Sequence, residues 1–480
     1  MKLLAGLIPL VLLLSGCDNN ADLNNVPLQS PQWLLTGEDN PYVFTSTSLG
    51  LSYLPGGNAV YAYRSYDEQR QRRIGIWSVD PQGQTLLSTT YADPDLPAPG
   101  AGPEMAINTS KRLLALANDE LLLIGFNGSF YHLDSSGALL SEYTWRDFGY
   151  QQLTLVAHSS ERTCWVGRND QDTVLLCATA DGSVVWQVPQ TLTFNSAGYP
   201  DLRATLQDDG TLVTAVLSEQ ALELAAYDAA GASLWGNTEA LPALESRSLA
   251  AMISAQAQVV VGLRETAQDG AKSFSLLQFS TSGQLQASLD LPVTEPDGNG
   301  SALRLLPYGE AGYLVLTQRK RSDVFFGKNV ADLQLISYSG VSQWQREISL
   351  DRFGADSGQL ASLQIEVNNG VISALQNKQS VLVYTPGVIP VGVARMVDNL
   401  LLSQWDGDGQ LLRENVIGRL RYMVDFEGGV YQVNEHGFYP LKMDTDGTTY
   451  WVAGSETKPA AEGPAVFASH QAFGAFLLAP

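Results

Sequence analysis

Residues 227–235 read YDAAGASLW: an Asp, two small residues, a Gly, and an aromatic four places after the Gly. The phrase returns along the chain. Eight versions carry Gly83, Gly137, Gly182, Gly231, Gly283, Gly340, Gly409 and Gly447, preceded three residues earlier by Asp80, Asp134, Thr179, Asp228, Ser280, Ser337, Asp406 and Asp444. Each of those side chains can accept a hydrogen bond from the backbone two residues on, as Asx and Ser/Thr turns require. The Gly supplies the positive φ that a tight reversal demands. The phrase is hairpin chemistry, repeated because a hairpin-bearing unit is repeated.

The flanks agree. Before the phrases run short segments such as GIWSV, SFYHL, LELAAY, SLLQF and LQLISY, and upstream of these lie AVYAY, LLLIG, TLVTAV, VVVGL and YLVL. Both sets are rich in β-branched and aromatic residues at strand length. No long amphipathic helix pattern is visible outside the N-terminal segment. The Gly-to-Gly interval averages about 52 residues, and periods near this length with four short strands each are the signature of propeller blades. The expected fold is all-β, a single β-propeller of four-stranded blades. Eight blades follow from eight phrases, with seven as the alternative because 376–405 holds an extra strand's worth of chain and two Pro.

Four residues after the Gly stand Trp186, Trp235, Trp344 and Trp451. A Trp at a fixed place in the fourth strand suits a wedge between blades; a ring of Trp docking a cofactor is the alternative. The strand-like residues 466–478 are expected to close the ring by pairing near the N-terminus, with QWLL or YVFTST, and so to hide a sheet edge.

The D-x-x-G-x-x-x-W phrase on consecutive four-stranded units resembles the pyrroloquinoline-quinone-like propeller repeat, over about residues 45–455. It is complete at Asp228, Gly231 and Trp235, and again at Asp444, Gly447 and Trp451. The repeats at Gly83, Gly137, Gly283 and Gly409 lack the Trp. That superfamily holds quinoprotein dehydrogenases and non-catalytic lipoproteins of the outer-membrane-protein assembly machinery, so the resemblance implies architecture rather than a given activity.

The N-terminus bears on location. Lys2 is followed by an apolar run from Leu3 to Leu14, too short to span a bilayer, and then by a small-residue site. Leu14-Ser15-Gly16-Cys17 resembles the bacterial lipobox. The resemblance implies a signal peptide at 1–16 and a lipidated Cys17 as mature N-terminus; an ordinary signal peptide with an incidental Cys is the alternative. Residues 17–40 then form a polar tether and 41–480 the propeller. In the best-studied Gram-negative lipoproteins an Asp after the lipidated Cys, here Asp18, disfavours export to the outer membrane. That favours the periplasmic face of the inner membrane, with the outer membrane as the alternative.

With 28 Lys and Arg against 50 Asp and Glu, the formal charge is −22. Such a chain is unsuited to nucleic acid or to direct docking on anionic headgroups. Membrane contact is therefore expected through the lipid alone. Cys164 and Cys177 flank a hairpin around RNDQD (168–172), in a register that sets them opposite each other. Facing Cβ atoms roughly 4.5–5.5 Å apart need little adjustment to form a disulfide. In an oxidising compartment a bridge is expected, two buried thiols being the alternative.

Chemistry is harder to find. His132, His158, His436 and His470 show no metal-ligand spacing, and no nucleophile elbow or phosphate loop appears. DGDG (406–409) and DTDG (444–447) lack the further ligands of an EF-hand. No catalytic residue, metal or cofactor is assigned. The cations instead gather between second and third strands: Arg70, Arg72 and Arg73; Arg168; Lys272; Arg319, Lys320 and Arg321. In a propeller those loops share one face, a docking patch on an acidic body or else solvated loop tips. The longest such loop, 318–332, adds Phe325 and Phe326 as anchors, or as packing on the next blade. The expected function is a protein-binding scaffold or accessory subunit of an envelope complex. The alternative is a quinoprotein-like enzyme or a propeller binding a quinone or sugar.

Overall fold

The computed structural model describes residues 26–36, 48–67, 69, 71–93, 107–108, 112–125, 128–169, 172–194, 200–207, 209–218, 220–256, 258–292, 303–321, 328–350, 363–382, 394–424, 430–433, 439–445, 449–459 and 467–477. The described residues form strands joined by turns, with two single-turn 3-10 segments, Ala117–Asp119 and Trp145–Phe148. They make eight sheets, six of four strands and two of five, in the manner of propeller blades. The chain divides into two compact units, one of 52–323 with 331–348, the other of 1–51, 324–330 and 349–480.

Six sheets belong to the first unit, each an antiparallel meander in chain order. The first sheet runs from Ser48–Tyr53, at the unit's boundary, to Thr85–Ala92, and the second from Leu113–Ala115 to Leu139–Thr144. The third spans Gln152–His158 to Val184–Pro189 and carries Ile107–Asn108 as an added parallel strand. The fourth spans Leu202–Leu206 to Ser233–Ala240, the fifth Ser246–Ala255 to Leu285–Pro292, and the sixth Leu303–Tyr308 to Ser342–Ser349.

Burial follows strand position. The third strand of the first sheet, Arg72–Val79, is continuously buried after its first two residues, whereas the fourth, Thr85–Ala92, alternates exposed and half-buried. A strand packed on both faces needs an unbroken apolar run; an edge strand needs alternation. The cores therefore lie between sheets. Phe130 and Trp165 join the second sheet to the third, with ring centroids 5.3 Å apart, and Val213 and Leu224 join the fourth to Val261 and Phe279 of the fifth. First strands of the third to sixth sheets adjoin in series.

The second unit holds two sheets. One comprises Gln364–Asn368, Val371–Leu382, Ala394–Trp405, Leu411–Val424 and Val430–Val433. The surplus chain noted at 376–405 goes into its long second and third strands, residues 383–393 lying outside the described set. The other sheet comprises Tyr439–Thr445, Thr449–Pro459 and Phe467–Leu477, with Trp33–Thr36 along its edge. Trp33 pairs with Ala475 and Thr36 with Ala472, so both ends of the chain share one sheet. This corrects the tether assigned to 17–40: sheet structure begins at Trp33, whose ring lies 5.7 Å from that of Trp451. Of the two partners expected for residues 466–478, QWLL and YVFTST, the pairing observed is with the first.

The recurring phrase forms a three-residue hairpin loop with a G1 bulge. Gly83, Gly137, Gly182, Gly231, Gly283, Gly340 and Gly409 all have φ between 69° and 86°. In each the Gly N–H donates to the carbonyl three residues earlier, as Gly231 does to Asp228 at 2.9 Å. Asp228 Oδ1 accepts from the N–H groups of Ala230 and Ala232, two and four residues on, and Asp80, Asp134 and Asp406 behave alike. Ser280 and Ser337 accept from the fourth residue on, and at the third sheet Asp181 accepts from Ser183 in place of Thr179. Gly447 lies outside the described residues. The residue four after one Gly meets the next sheet's Gly: Leu87 at Gly137, Trp186 at Gly231, Trp235 at Gly283.

Candidate functional site

Antiparallel meanders bring three places in sequence to one end of each sheet: the start of the first strand, the second-to-third connection, and the end of the fourth strand. In the first unit that end is rich in arginine. Arg72 and Arg73 open a third strand, Arg168 closes a second, and Lys272 opens a third. Arg319, Lys320 and Arg321 close the strand Gly312–Arg321, though their side chains are outside the described set. Arg70, Phe325 and Phe326 also lie outside it, as does Cys17. The expectation that these cations occupy loops is thus corrected. The 318–332 segment contains the end of one strand and the start of another, Lys328–Ile336, because the third strand must reach back to pair with the second.

Partners at this end are specific. Arg73 Nε and Nη2 each reach Asp67 Oδ2 at 3.1 Å. Asp67 also accepts from the Gln71 and Gln69 N–H groups, and the Gln71 bond foremost lowers its pKa. Arg168 lies over the Phe194 ring, 4.4 Å from its centroid, and is exposed.

Sequence reasoning missed a second set, at the openings of first strands. Arg112 stands immediately before Leu113–Ala115, and Arg203, Arg247 and Arg304 each occupy the second place of theirs. The legible signal was an arginine beside the first leucine, as in Leu202-Arg203 and Leu303-Arg304. Burial pushes Arg112, Arg203 and Arg304 below the ordinary arginine value. Arg112 Nη1 donates to the Gly125 carbonyl at 2.7 Å, and Asp93, 1% exposed at the end of the first sheet, partly offsets that burial. Arg203 Nη1 donates to the Leu202 carbonyl at 3.1 Å.

The fifth sheet carries a polar ladder across its four strands. Arg247 Nε donates to Glu265 Oε1 at 2.6 Å; Ser275 Oγ donates to Glu265 and stands 3.1 Å from Asp290 Oδ1. Arg247 Nη2 also donates to the Pro242 carbonyl, 3.0 Å away. This arginine is locked in place and supports the sheet.

The opposite end, where the phrase makes its turns, is acidic. Asp80, Asp134, Asp181 and Asp228 point carboxylates at turn backbone. Arg162 also belongs to this end, donating to the Ala229 carbonyl at 2.8 Å. The arginine-rich end also holds Asp67, Asp93, Asp201, Glu265 and Asp290, so its arginines are set among carboxylates.

Cys164 pairs with Cys177 in the third sheet and the two are disulfide-bonded, with Cα atoms 4.1 Å apart. The loop is 169–172, one residue shorter than RNDQD, since Arg168 pairs with Thr173. His132 Nε2 lies 2.7 Å from Glu120 Oε2. Asp406, in DGDG, spends its carboxylate on the turn. Among the described residues no group of three or more His, Cys, Asp or Glu could hold a metal ion, and no helix is long and apolar enough to cross a membrane.

No protein-family model matches the chain, and no curated protein is detectably similar to it. Solved structures show likeness at low identity. The WD40 domain of SCAP from fission yeast is 8% identical, with a TM-score of 0.41 over 93% of this chain and 97% of that one. The Cps50 (Swd1) β-propeller domain of Myceliophteria thermophila is 11% identical, with a TM-score of 0.37 over 76% and 96%. Prolyl oligopeptidase B from Galerina marginata is 10% identical, with a TM-score of 0.39 over 86% of this chain and 55% of that one.

Proposed function

We propose that this chain is a lipid-anchored β-propeller of the bacterial periplasm that binds another envelope protein as an accessory subunit. The observation that carries the reading is the concentration of arginine at one end of the first unit, on a chain of net charge −22. Exposed Arg168 stands at this end with half-buried Lys272, Arg203 and Arg304, a combination suited to acidic groups on a protein surface. The anchor rests on Lys2, the apolar run and Leu14-Ser15-Gly16-Cys17. The likeness of the repeats to the pyrroloquinoline-quinone-like class supports a place among its non-catalytic lipoproteins.

The test is purification of the full chain from detergent-solubilised envelope. One stoichiometric protein partner is expected, retained by the wild type and lost from Arg168→Glu/Lys272→Glu. A stoichiometric quinone absorbance with no partner would sink the scaffold reading and favour an enzyme.

A further inference from the structure

The exposed large aliphatics of the first unit are not scattered. Leu86, Leu140, Val185 and Leu234 are each exposed and each stand three residues after a turn Gly. Leu285 and Val341 stand two and one residues after theirs, and Val341 is 60% exposed. All lie at or beside the turn end of the outermost strand of a sheet.

Edge-strand propensity does not account for this. Two residues beyond the first four, on the same outward face, stand Ser88, Glu142, Gln187 and Gly236. A demand for β-forming side chains would act there too; the aliphatics stop at the turn end. They are also continuous from sheet to sheet. The residue following Leu86 meets Gly137, the one following Val185 meets Gly231, and the one following Leu234 meets Gly283. The outer strands of the first, third and fourth sheets therefore start against the next turn, the second meets Gly182 through Tyr143 further along, and the aliphatics succeed one another from sheet to sheet along an arc. Single exposed aliphatics are ordinary, but a contiguous series marks an interface.

Charge selects the occupant. The turns beside the arc carry Asp80, Asp134, Asp181 and Asp228, whose carboxylates accept from turn N–H and hydroxyl donors. An anionic lipid surface would be repelled, and so would the same arc on a second copy. We propose that this arc is a docking surface separate from the arginine-rich end, and that it takes a basic segment of a partner protein bearing aliphatic side chains. Leu and Val of the arc would receive the aliphatics, and the turn carboxylates the Lys or Arg beside them.

The probe is a fluorescent peptide of alternating Lys and Leu, titrated with the full chain and followed by anisotropy. The variant is Leu140→Thr/Val185→Thr/Leu234→Thr, which keeps β-formers on exposed positions. The wild type should bind at least tenfold more tightly than the variant, with unchanged thermal unfolding, and should ignore a Glu-Leu peptide. Arg168→Glu/Lys272→Glu should bind the probe as the wild type does, so the arc can stand or fall apart from the arginine-rich end. Equal binding by wild type and triple variant, or equal binding of a Lys-Ser peptide, would overturn the proposal. So would a wild-type dimer, or capture by phosphatidylglycerol vesicles, that the triple variant abolishes; either would hand the arc to another occupant.

Discussion

The indole of Trp186 covers the backbone of Gly231: a Cβ at that Gly would stand 2.6 Å from Trp186 Cγ. Gly231 is therefore required twice, once for its φ of 84° and once for the ring that an adjacent sheet lays over it. Gly270 separates the two demands, having φ of 82° with open space around it. Gly270→Ala should cost roughly 1 kcal/mol, the strain of a left-handed backbone. Gly231→Ala should cost about 3 kcal/mol or more, because overpacking adds to that strain. Urea midpoints of the two variants decide it; equal losses would show that the ring imposes nothing.

The turn carboxylates make stability depend on acid. Asp134 is subject first to burial, which raises its pKa, but the Ser136 hydroxyl and the Ala138 and Ser136 N–H groups together lower it below 3.8. A carboxylate more acidic when folded contributes stability that is complete well above that value and is lost as pH falls through the folded pKa. The urea midpoint of the wild type should decline between roughly pH 5 and pH 2. Asp134→Asn should flatten part of that decline. An unchanged slope in the variant would remove Asp134 from the acid response.

Reduction should weaken the third sheet. The Cys164–Cys177 bond links residues 13 apart, and the loop-entropy relation gives roughly 3 kcal/mol for a loop of that size. Cys164→Ala/Cys177→Ala should lower stability by up to that amount. Thiol titration of the denatured chain should rise by two on adding and removing reductant. No rise would mean that the bridge does not form.

Arg247 and Glu265 form an enclosed pair, with side chains 5% and 13% exposed. Arg247→Ala should cost about 3 kcal/mol by leaving the Glu265 carboxylate without its counter-ion. Adding Glu265→Ala should recover part of that loss. Strictly additive losses in the double variant would contradict the coupling.

The turns were legible because two positions three residues apart carry local requirements, an acceptor side chain at one and positive φ at the other, and both are written in residue type. The pairing of 466–478 with QWLL was legible from strand-like residues left over at the two ends, and the structure forms it at Trp33–Thr36; only the tether's bound at 40 was set too far along. The arginine-rich end was half legible. Arg168 and Lys272 sit beside a turn that sequence can find, whereas Arg203 and Arg304 open strands identified only once each meander is laid out. Their half-buried character depends on the adjoining first strands and has no local signature.

The most direct test of partner binding is a photoreactive amino acid placed in the living cell at Arg168 and Lys272, with exposed Glu161, at the opposite end of the third sheet, as the control. Positions 168 and 272 should each trap the same envelope protein, and position 161 should not trap it. Adducts equally strong at all three sites, or none at 168 and 272, would contradict a docking role for the arginine-rich end.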